Sequence, residues 1–314
     1  MRNAMKNFII RLKKESDNPG VAKLIMDSLN VWYRKNRGFE SCVPSLDAAS
    51  IYTRIYDALD PDCCVVAEDA ETGQLAGSCF FHPRPTHVSL GIMTVAPEYF
   101  GQKVSTKLLA YIVDVAERRN QALRLVSSAM NLDSFSLYSK AGFVPRAMYR
   151  DVLVAVPEQG FDDSVDGATL RDATPDDVDA IVALELELCG VDRTKDYKFF
   201  IDNRDGVWGV SVLVNSQTGA IDGAMCSVRD PGCNMVGPGA VRTQEQAAAL
   251  IKRELNRYKG QWAPIVLVPT DCVELGRELY DLGGKNTETH VAQSLGDSPV
   301  RKGVIIPTFM PETA

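Results

Sequence analysis

Two stretches in the first half combine residue types and spacing that could do chemistry. In residues 90–105, a strand ends before Pro97, a loop follows, and a helix begins near Val104. The first amide groups of a helix have no partner within it, so this loop mouth suits an anion such as a pyrophosphate. In residues 125–143, a strand leads into a short helix that Asn131 would cap and Gly142 would end.

Tyr138 lies on that short helix and could donate a proton. A phenol, whose pKa in water is about 10, stays protonated near neutral pH and can act as a general acid. A tyrosine on an amphipathic helix is otherwise commonly a half-buried packing residue. Both interpretations of Tyr138 remain open from its position alone.

The two stretches resemble the signatures of the GNAT superfamily of N-acetyltransferases. In the first, Val95 and Pro97 match V-x-P-x-x-[RQ]-x-x-G-x-[GA], whereas Phe100, Lys103 and Ser105 depart from it. The second, N-x-x-[AS]-x-x-L-Y-x-x-x-G-F, is matched at the right spacing by Asn131, Ser134, Leu137, Tyr138, Gly142 and Phe143. The resemblance implies an α/β (α+β) fold in which a mixed, mostly antiparallel sheet is flanked by helices.

The resemblance also implies that acetyl-CoA is the cosubstrate. Its pantetheine arm would bind in a splay between strands 88–95 and 123–129, and backbone N–H groups of strand 91–95 would polarise the thioester carbonyl. An amine would attack directly, and Tyr138 would protonate the departing thiolate. The implied cofactor-binding residues are Met93, Thr94, Val95, Phe100, Gly101, Gln102, Lys103, Val104, Ser105, Asn131 and Ser134.

The general base is less evident. Several GNAT enzymes carry a glutamate at the strand position that corresponds here to Ser89, and a serine needs an activator to accept a proton. His87 precedes it by two residues, so on a strand it faces the same side, and histidine titrates near pH 6.5. His87 is therefore the second catalytic candidate. Alternatively, residues 82–87 are a surface loop and a water chain removes the proton.

The changes in the 90–105 loop motivate two other functions. Glycine permits close backbone approach and positive φ, so its replacement could narrow the anion site. Lys103 counteracts this by adding a positive charge. The main alternative to an enzyme is a protein that binds or senses acyl-CoA without turnover, and a third hypothesis is a scaffold that contacts partners only.

An internal repeat predicts two tandem domains. The apolar runs of Val65–Gly77 and Val210–Gly223 are each interrupted by a Thr-Gly pair that is typical of a hairpin turn. A segment rich in proline, glycine and acidic residues at 157–167 predicts a linker. We therefore expect an acetyl-CoA-binding domain at 1–156 and a degenerate GNAT-like domain at 168–314.

The second half lacks the acetyl-CoA signature. Its loop at 237–242 has none of the pattern, and aligning Tyr280 with Tyr138 places Val273 on Asn131. We expect helices near 175–188, 245–258 and 272–282 and strands near 235–241 and 265–268. This half would shape the acceptor pocket or the domain interface.

Composition narrows the class of protein. The 314 residues carry a net charge of −7, which argues against a dedicated nucleic-acid binder. No apolar stretch is long enough for a membrane span or signal peptide, so a cytoplasmic location is expected. Three histidines and eight cysteines without a C-x-x-C pair argue against a metal and for mostly buried free thiols. The expected partners are acetyl-CoA and a small-molecule or peptide amine, and a homodimer is possible.

Overall fold

The computed structural model describes residues 6–260 and 262–313. Residues 1–5 and 314, at the outer ends of the two predicted domains, lie outside the described residues. Contacts divide the chain into two compact units. Unit 1 comprises residues 6–83, 87–123 and 230–233, and unit 2 comprises residues 84–86, 124–229 and those from 234 onward.

Unit 1 contains four antiparallel strands and three α-helices. The strands pair in chain order, and they are β1 (Phe8–Leu12), β2 (Cys64–Asp69), β3 (Leu75–Pro83) and β4 (Val88–Val95). The helices are α1 (Asn18–Arg37), α2 (Leu46–Leu59) and α3 (Val104–Arg118), and short 3-10 turns form at Glu15–Asp17 and Pro97–Tyr99. The buried stripe of α3 is the one its sequence predicts, namely Val104, Leu108, Leu109, Ile112 and Ala116.

Unit 2 is built on a longer mixed sheet. Its strands are β5 (Leu123–Ser128), β6 (Val144–Leu153), β7 (Ala168–Asp172), β8 (Trp208–Asn215), β9 (Ile221–Asp230), β10 (Cys233–Val241), β11 (Ile265–Pro269), β12 (Lys285–Leu295) and β13 (Val304–Ile306), followed by the separate pair β14 (Thr308–Phe309) and β15 (Glu312–Thr313). The helices are α4 (Leu132–Lys140), α5 (Val178–Cys189), α6 (Thr194–Asp202), α7 (Gln244–Leu255) and α8 (Val273–Asp281), with 3-10 turns at Pro175–Asp177 and Asn256–Tyr258.

Strand order in this sheet interleaves the two halves of the sequence. The order is β5-β12-β6-β11-β10-β9-β8-β7, with β13 beside β10. Strand β6 lies between β11 and β12, antiparallel to both, and β12 lies between β5 and β6. Segments from both predicted domains therefore share one sheet, and the domain boundaries around the 157–167 linker stay a prediction.

The internal repeat is confirmed by matching side-chain contacts. The guanidinium of Arg11 in β1 donates to Asp17 at 2.7 Å, and Arg171 in β7 donates to Asp177 at 2.7 Å. The predicted hairpin turns both have glycine in the left-handed region, with φ +72° at Gly73 and φ +72° at Gly219. Corresponding positions thus carry the same local interactions in both halves.

The remaining elements mostly agree with the sequence patterns. The helices and strands expected in the second half form as α5, α7, α8, β10 and β11, whereas α6 and β12 were not anticipated. Residues 157–167 form neither helix nor strand, and Asn256 holds this segment through hydrogen bonds with both backbone groups of Phe161. All eight cysteines lie among the described residues and none forms a disulfide, and six of them are buried. Among the described residues, no helix is long and apolar enough to cross a bilayer.

Candidate functional site

The loop that joins β4 to α3 is the predicted anion site, and its backbone is unusual. Gly101 has φ +78°, and Lys103, the N-cap residue of α3, has φ +63°. A left-handed backbone strains any residue with a Cβ and is the conformation that glycine adopts readily. Lys103 therefore adopts the backbone conformation that glycine would adopt at this position of the family signature. The turn has the same backbone shape although lysine stands in place of glycine.

Within the part of the chain that the structure describes, no side chain caps the first turn of α3. Lys103 makes no capping hydrogen bond from its side chain, and its ammonium-bearing side chain is exposed. The opening amide groups of α3 and the adjacent lysine charge are thus available to an anion. Helix α7 in the second half differs, since the Thr243 hydroxyl accepts a hydrogen bond from the Gln246 backbone at 3.2 Å. That side chain already occupies the first turn of α7.

Close packing fixes the start of α3 over the sheet. A Cβ added at Gly77 in β3 would lie 2.8 Å from the carbonyl oxygen of Thr94 and 2.9 Å from a methyl group of Val104. A side chain at residue 77 would therefore displace β4 or the first residue of α3. The sequence pattern marks Gly77 only as part of a hairpin, whereas in the structure it sets the position of the anion loop.

Tyr99 holds the same loop in place through contacts with β1 and β2. Its hydroxyl donates to the Asp69 carboxylate at 3.0 Å, and its ring meets Phe8 edge to face at 5.7 Å. Lys6 also donates to Asp69, at 2.7 Å. The hydrogen bond from Lys6, together with others from the Glu71 backbone and Tyr99, lowers the pKa of Asp69 to about 2. The carboxylate thus remains charged and holds the turn at Pro97–Tyr99.

His87 lies at the start of β4 and is fully buried. Its Nε2 atom is 3.0 Å from the Ser89 hydroxyl, which confirms that these two side chains face the same side. The surface-loop alternative for residues 82–87 is wrong, because His82, Arg84 and His87 are all at most 1% exposed. The Nδ1 atom of His82 lies 2.8 Å from an Asp60 carboxylate oxygen. A catalytic role for His87 stays a prediction.

Tyr138 lies on α4, within unit 2. Asn131 caps this helix by accepting a hydrogen bond from the Ser134 backbone at 3.1 Å, and Gly142 ends it with φ +95°, as the sequence predicts. The Tyr138 side chain is 6% exposed, and its ring centroid lies 5.6 Å from that of Phe143. Tyr138 therefore packs against Phe143, while its role as a proton donor stays a prediction.

A buried group on β6 and β12 was missed by the sequence patterns. The Nδ1 atom of His290 lies 2.8 Å from Oδ1 of Asp151, and Glu288 stands directly opposite Asp151 across the two strands. Their potential ligand atoms lie within 4.8 Å of one another, so the three side chains could also hold a cation. Ser128 donates a hydrogen bond to Glu288. The absence of a metal, expected from the sequence, stays a prediction.

Comparisons with known proteins bear on the family and the fold. Residues 20–143 match the acetyltransferase (GNAT) family. No curated protein matches the chain. An acetyltransferase structure from Pyrococcus horikoshii aligns over 100% of this chain and 99% of its own, with a TM-score of 0.74 and 14% identity.

Two further solved structures extend the likeness over nearly the whole chain. A GCN5-related N-acetyltransferase from Sphaerobacter thermophilus covers 95% of this chain and 97% of its own, with a TM-score of 0.64 and 18% identity. A tandem GNAT protein from the clavulanic acid biosynthesis pathway covers 93% and 99%, with a TM-score of 0.58 and 15% identity. At such identities the likeness shows the fold.

Proposed function

Because residues 20–143 carry a domain of the acetyltransferase (GNAT) family and the whole chain has the tandem GNAT fold, we propose that this protein is an N-acetyltransferase. It moves the acetyl group of acetyl-CoA to a primary amine. The observation that carries the proposal is the uncapped start of α3, preceded by a lysine in a glycine-like backbone conformation. Such a turn suits the pyrophosphate of coenzyme A.

Binding of acetyl-CoA is assigned to the β4–α3 loop. Residues 100–105 would bind the pyrophosphate through backbone amides and the Lys103 ammonium, and Met93, Thr94 and Val95 would align the pantetheine arm along the edge of β4. Asn131 and Ser134, at the start of α4, complete the proposed cofactor-binding set. A backbone amide of β4 would polarise the thioester carbonyl as negative charge develops on its oxygen.

The proposed reaction is a direct transfer. The amine nitrogen attacks the thioester carbonyl carbon, a C–N bond forms, and the C–S bond breaks as its electron pair leaves with sulfur. Tyr138 donates its phenolic proton to that sulfur. The proton lost by the attacking nitrogen passes to a base, for which His87 or an ordered water chain is proposed. No covalent intermediate with the protein is formed.

The second half is proposed to serve the acceptor and not a second acetyl-CoA. Support comes from the side-chain cap that Thr243 supplies to α7, at the position where α3 is uncapped. Its aligned tyrosine, Tyr280, is 38% exposed and hydrogen-bonds Asn286, so its surroundings differ from those of Tyr138. A cytoplasmic location and a homodimer also stay predictions.

A non-catalytic acyl-CoA binder is the second candidate. It is favoured by the departures from the family signature at Phe100, Lys103 and Ser105, of which Phe100 is 50% exposed. A scaffold would bind neither acetyl-CoA nor an amine. Fold alone does not separate these functions.

Two measurements test the proposal. Calorimetry with acetyl-CoA should show saturable binding, and its absence would favour the scaffold. A diverse panel of amines is then tested one by one, and at least one of them should cause release of free thiol from acetyl-CoA. Tight binding without amine-dependent thiol release would support the non-catalytic binder instead.

A further inference from the structure

Arg124 in β5 is a buried cation with no counter-ion among the described residues. Its side chain is 6% exposed, and its Nε atom is buried with no hydrogen-bond partner among the described residues. Burial lowers the pKa of Arg124 from its usual value. A buried charge that lacks a partner is strongly unfavourable, so proteins rarely keep one without a use.

Arg301 brings a second cation to the same region of unit 2. Its guanidinium lies over the Tyr149 ring, 5.6 Å from the centroid, and donates to the Tyr149 hydroxyl. Burial, and then the charge of Arg124, lower the pKa of Arg301 to about 10. No carboxylate among the described residues pairs with either guanidinium, so two mutually repelling cations share a partly dry environment.

The buried acidic group lies on the sheet face that Arg301 covers. Tyr149 stands opposite His290 in the register of β6 and β12, and Asp151 stands opposite Glu288 two residues further along. Residues two apart on a strand, and residues opposite each other on paired strands, point to the same face. Arg124 and Ser128 are four residues apart on β5 and therefore also point to one face, and Ser128 donates to Glu288. Positive and negative groups thus lie on the same face of the sheet.

Gln293 adds an unused polar group to this face. A bulge after Ala292 places Gln293 opposite Pro145, which shares a face with Tyr149 and Asp151. The Gln293 side chain is 1% exposed, and both its amide oxygen and its amide nitrogen lack a hydrogen-bond partner among the described residues. Buried amides almost always have hydrogen-bond partners, so both groups of Gln293 are available to a polar ligand at this face.

We propose that this face of unit 2 binds a small molecule carrying both a carboxylate and an amine, so that the acceptor of the proposed acetyl transfer is an amino acid or a close analogue. Arg124 and Arg301 bind the carboxylate. Asp151 and Glu288 bind the ammonium group. The identity of the substrate class rests on the proposed function, whereas the binding site does not.

A divalent cation is the competing occupant of the acidic group. It would have to bind beside two guanidinium groups that no carboxylate among the described residues neutralises, and like charges repel. A zwitterionic amino acid has no net charge. It offers a carboxylate to the two arginines and an ammonium group to the two acidic side chains. The observations therefore favour the amino acid over the metal.

The test compares ligands that differ only in the carboxylate. Full-length protein without acetyl-CoA is melted with amino acids and their decarboxylated amines: lysine and cadaverine, histidine and histamine, tyrosine and tyramine. At least one amino acid should raise Tm and bind roughly tenfold to a hundredfold more tightly than its amine. Equal binding within every pair, or no binding by any amino acid, overturns the proposal.

Variants separate a ligand site from a structural feature. Arg124→Leu and Arg301→Leu should abolish the preference for the carboxylate, and Arg124→Leu should raise the Tm of the ligand-free protein because an unpaired buried charge is removed. Arg204→Leu is the control, since Arg204 is 87% exposed and pairs with Asp202. Retention of the carboxylate preference in both arginine variants would overturn the assignment.

Two outcomes distinguish this site from the proposed activity and from a metal. Binding of an amino acid without any thiol release would contradict the proposed acetyl transfer and would still support the proposed binding site. A rise in Tm with Zn²⁺ or Mg²⁺ alone, lost in Asp151→Asn and accompanied by no response to amino acids, would show a metal site and overturn the proposal.

Discussion

His290 on β12 and Asp151 on β6 lie 2.8 Å apart, although 139 residues separate them in the chain. The two strands run antiparallel over most of their length and bring the halves of the sequence into one sheet. Strand β6 has β11 on its other side, so its hydrogen bonds depend on the second half along both edges. This relationship changes what can be expected of isolated fragments.

Fragments 1–157 and 168–314 should not fold separately. The first would leave both edges of β6 unpaired, and the second would leave a gap between β11 and β12. Co-expressed fragments should copurify and recover a cooperative melt, which acetyl-CoA then raises. The measurement is circular dichroism of each fragment and of the pair. A cooperative melt of either fragment alone would contradict the prediction.

Lys103→Gly should preserve or improve acetyl-CoA binding. Lysine at φ +63° carries about 1 kcal/mol of backbone strain that glycine relieves, partly offset by the entropy of glycine in the unfolded chain. Lys103→Glu should weaken binding by roughly 1.5–3 kcal/mol because it reverses the charge beside the phosphates. Calorimetry measures both, with the exposed Lys198→Glu as the control. Equal affinities throughout would place the phosphates elsewhere.

Tyr138→Phe should separate binding from turnover. The ring and its contact with Phe143 remain, so Tm and acetyl-CoA affinity should change little. Loss of the proton donor should lower kcat by roughly 10²-fold. Tyr280→Phe is the matched control and should leave kcat unchanged. Wild-type turnover in the Tyr138 variant would make this residue a packing residue only.

The free energy of unfolding should decrease as the pH is lowered below about 4. Hydrogen bonds from Lys6 to Asp69 and from Arg171 to Asp177 lower both pKa values to about 2, compared with about 3.9 in an unfolded chain. Carboxylates with lowered pKa values stabilise the fold fully above the unfolded value, and that stabilisation disappears as the pH falls toward 2. Melting curves from pH 6 to pH 2 measure this loss.

The control for the acid effect is Asp69→Asn. It removes one of the two titrating groups, so its Tm at neutral pH should be lower and its further loss of Tm between about pH 4 and pH 2 should be smaller than in the wild type. An unchanged acid profile in this variant would show that the Lys6 and Tyr99 contacts to Asp69 do not stabilise the fold.

Local features were predictable from the sequence, and remote pairings were not. The apolar spacing from Val104 to Ala116 specifies α3, and the turns at Gly73 and Gly219 follow from the Thr-Gly pairs. Each such signal is contained within a few residues. Residues 285–295 show no comparable periodic pattern of apolar residues. Their pairing with β5 and β6 depends on strands far away in the chain, so a local pattern could not predict it.

The same limit explains which site residues were missed. The loop before α3 follows a local signature, so its position was predictable. Burial of Arg84 was not, because its partner Asp196 lies 112 residues away at 2.8 Å. Likewise, Asp151 and His290 have no relation in sequence until β6 and β12 pair. Short-range patterns indicate where an anion could bind, whereas clusters assembled by the sheet require the structure.

The place of β12 also governs when the protein can become complete during synthesis. Strand β5, which immediately precedes the α4 helix carrying Tyr138, has β12 as a neighbour, and β12 spans Lys285–Leu295. A ribosome must therefore translate the chain through β12, more than 150 residues beyond β5, before that edge of β5 is covered. Contacts between such distant segments slow folding. Prematurely terminated chains would expose this edge, which makes them recognisable to chaperones and proteases before they can acquire the proposed activity.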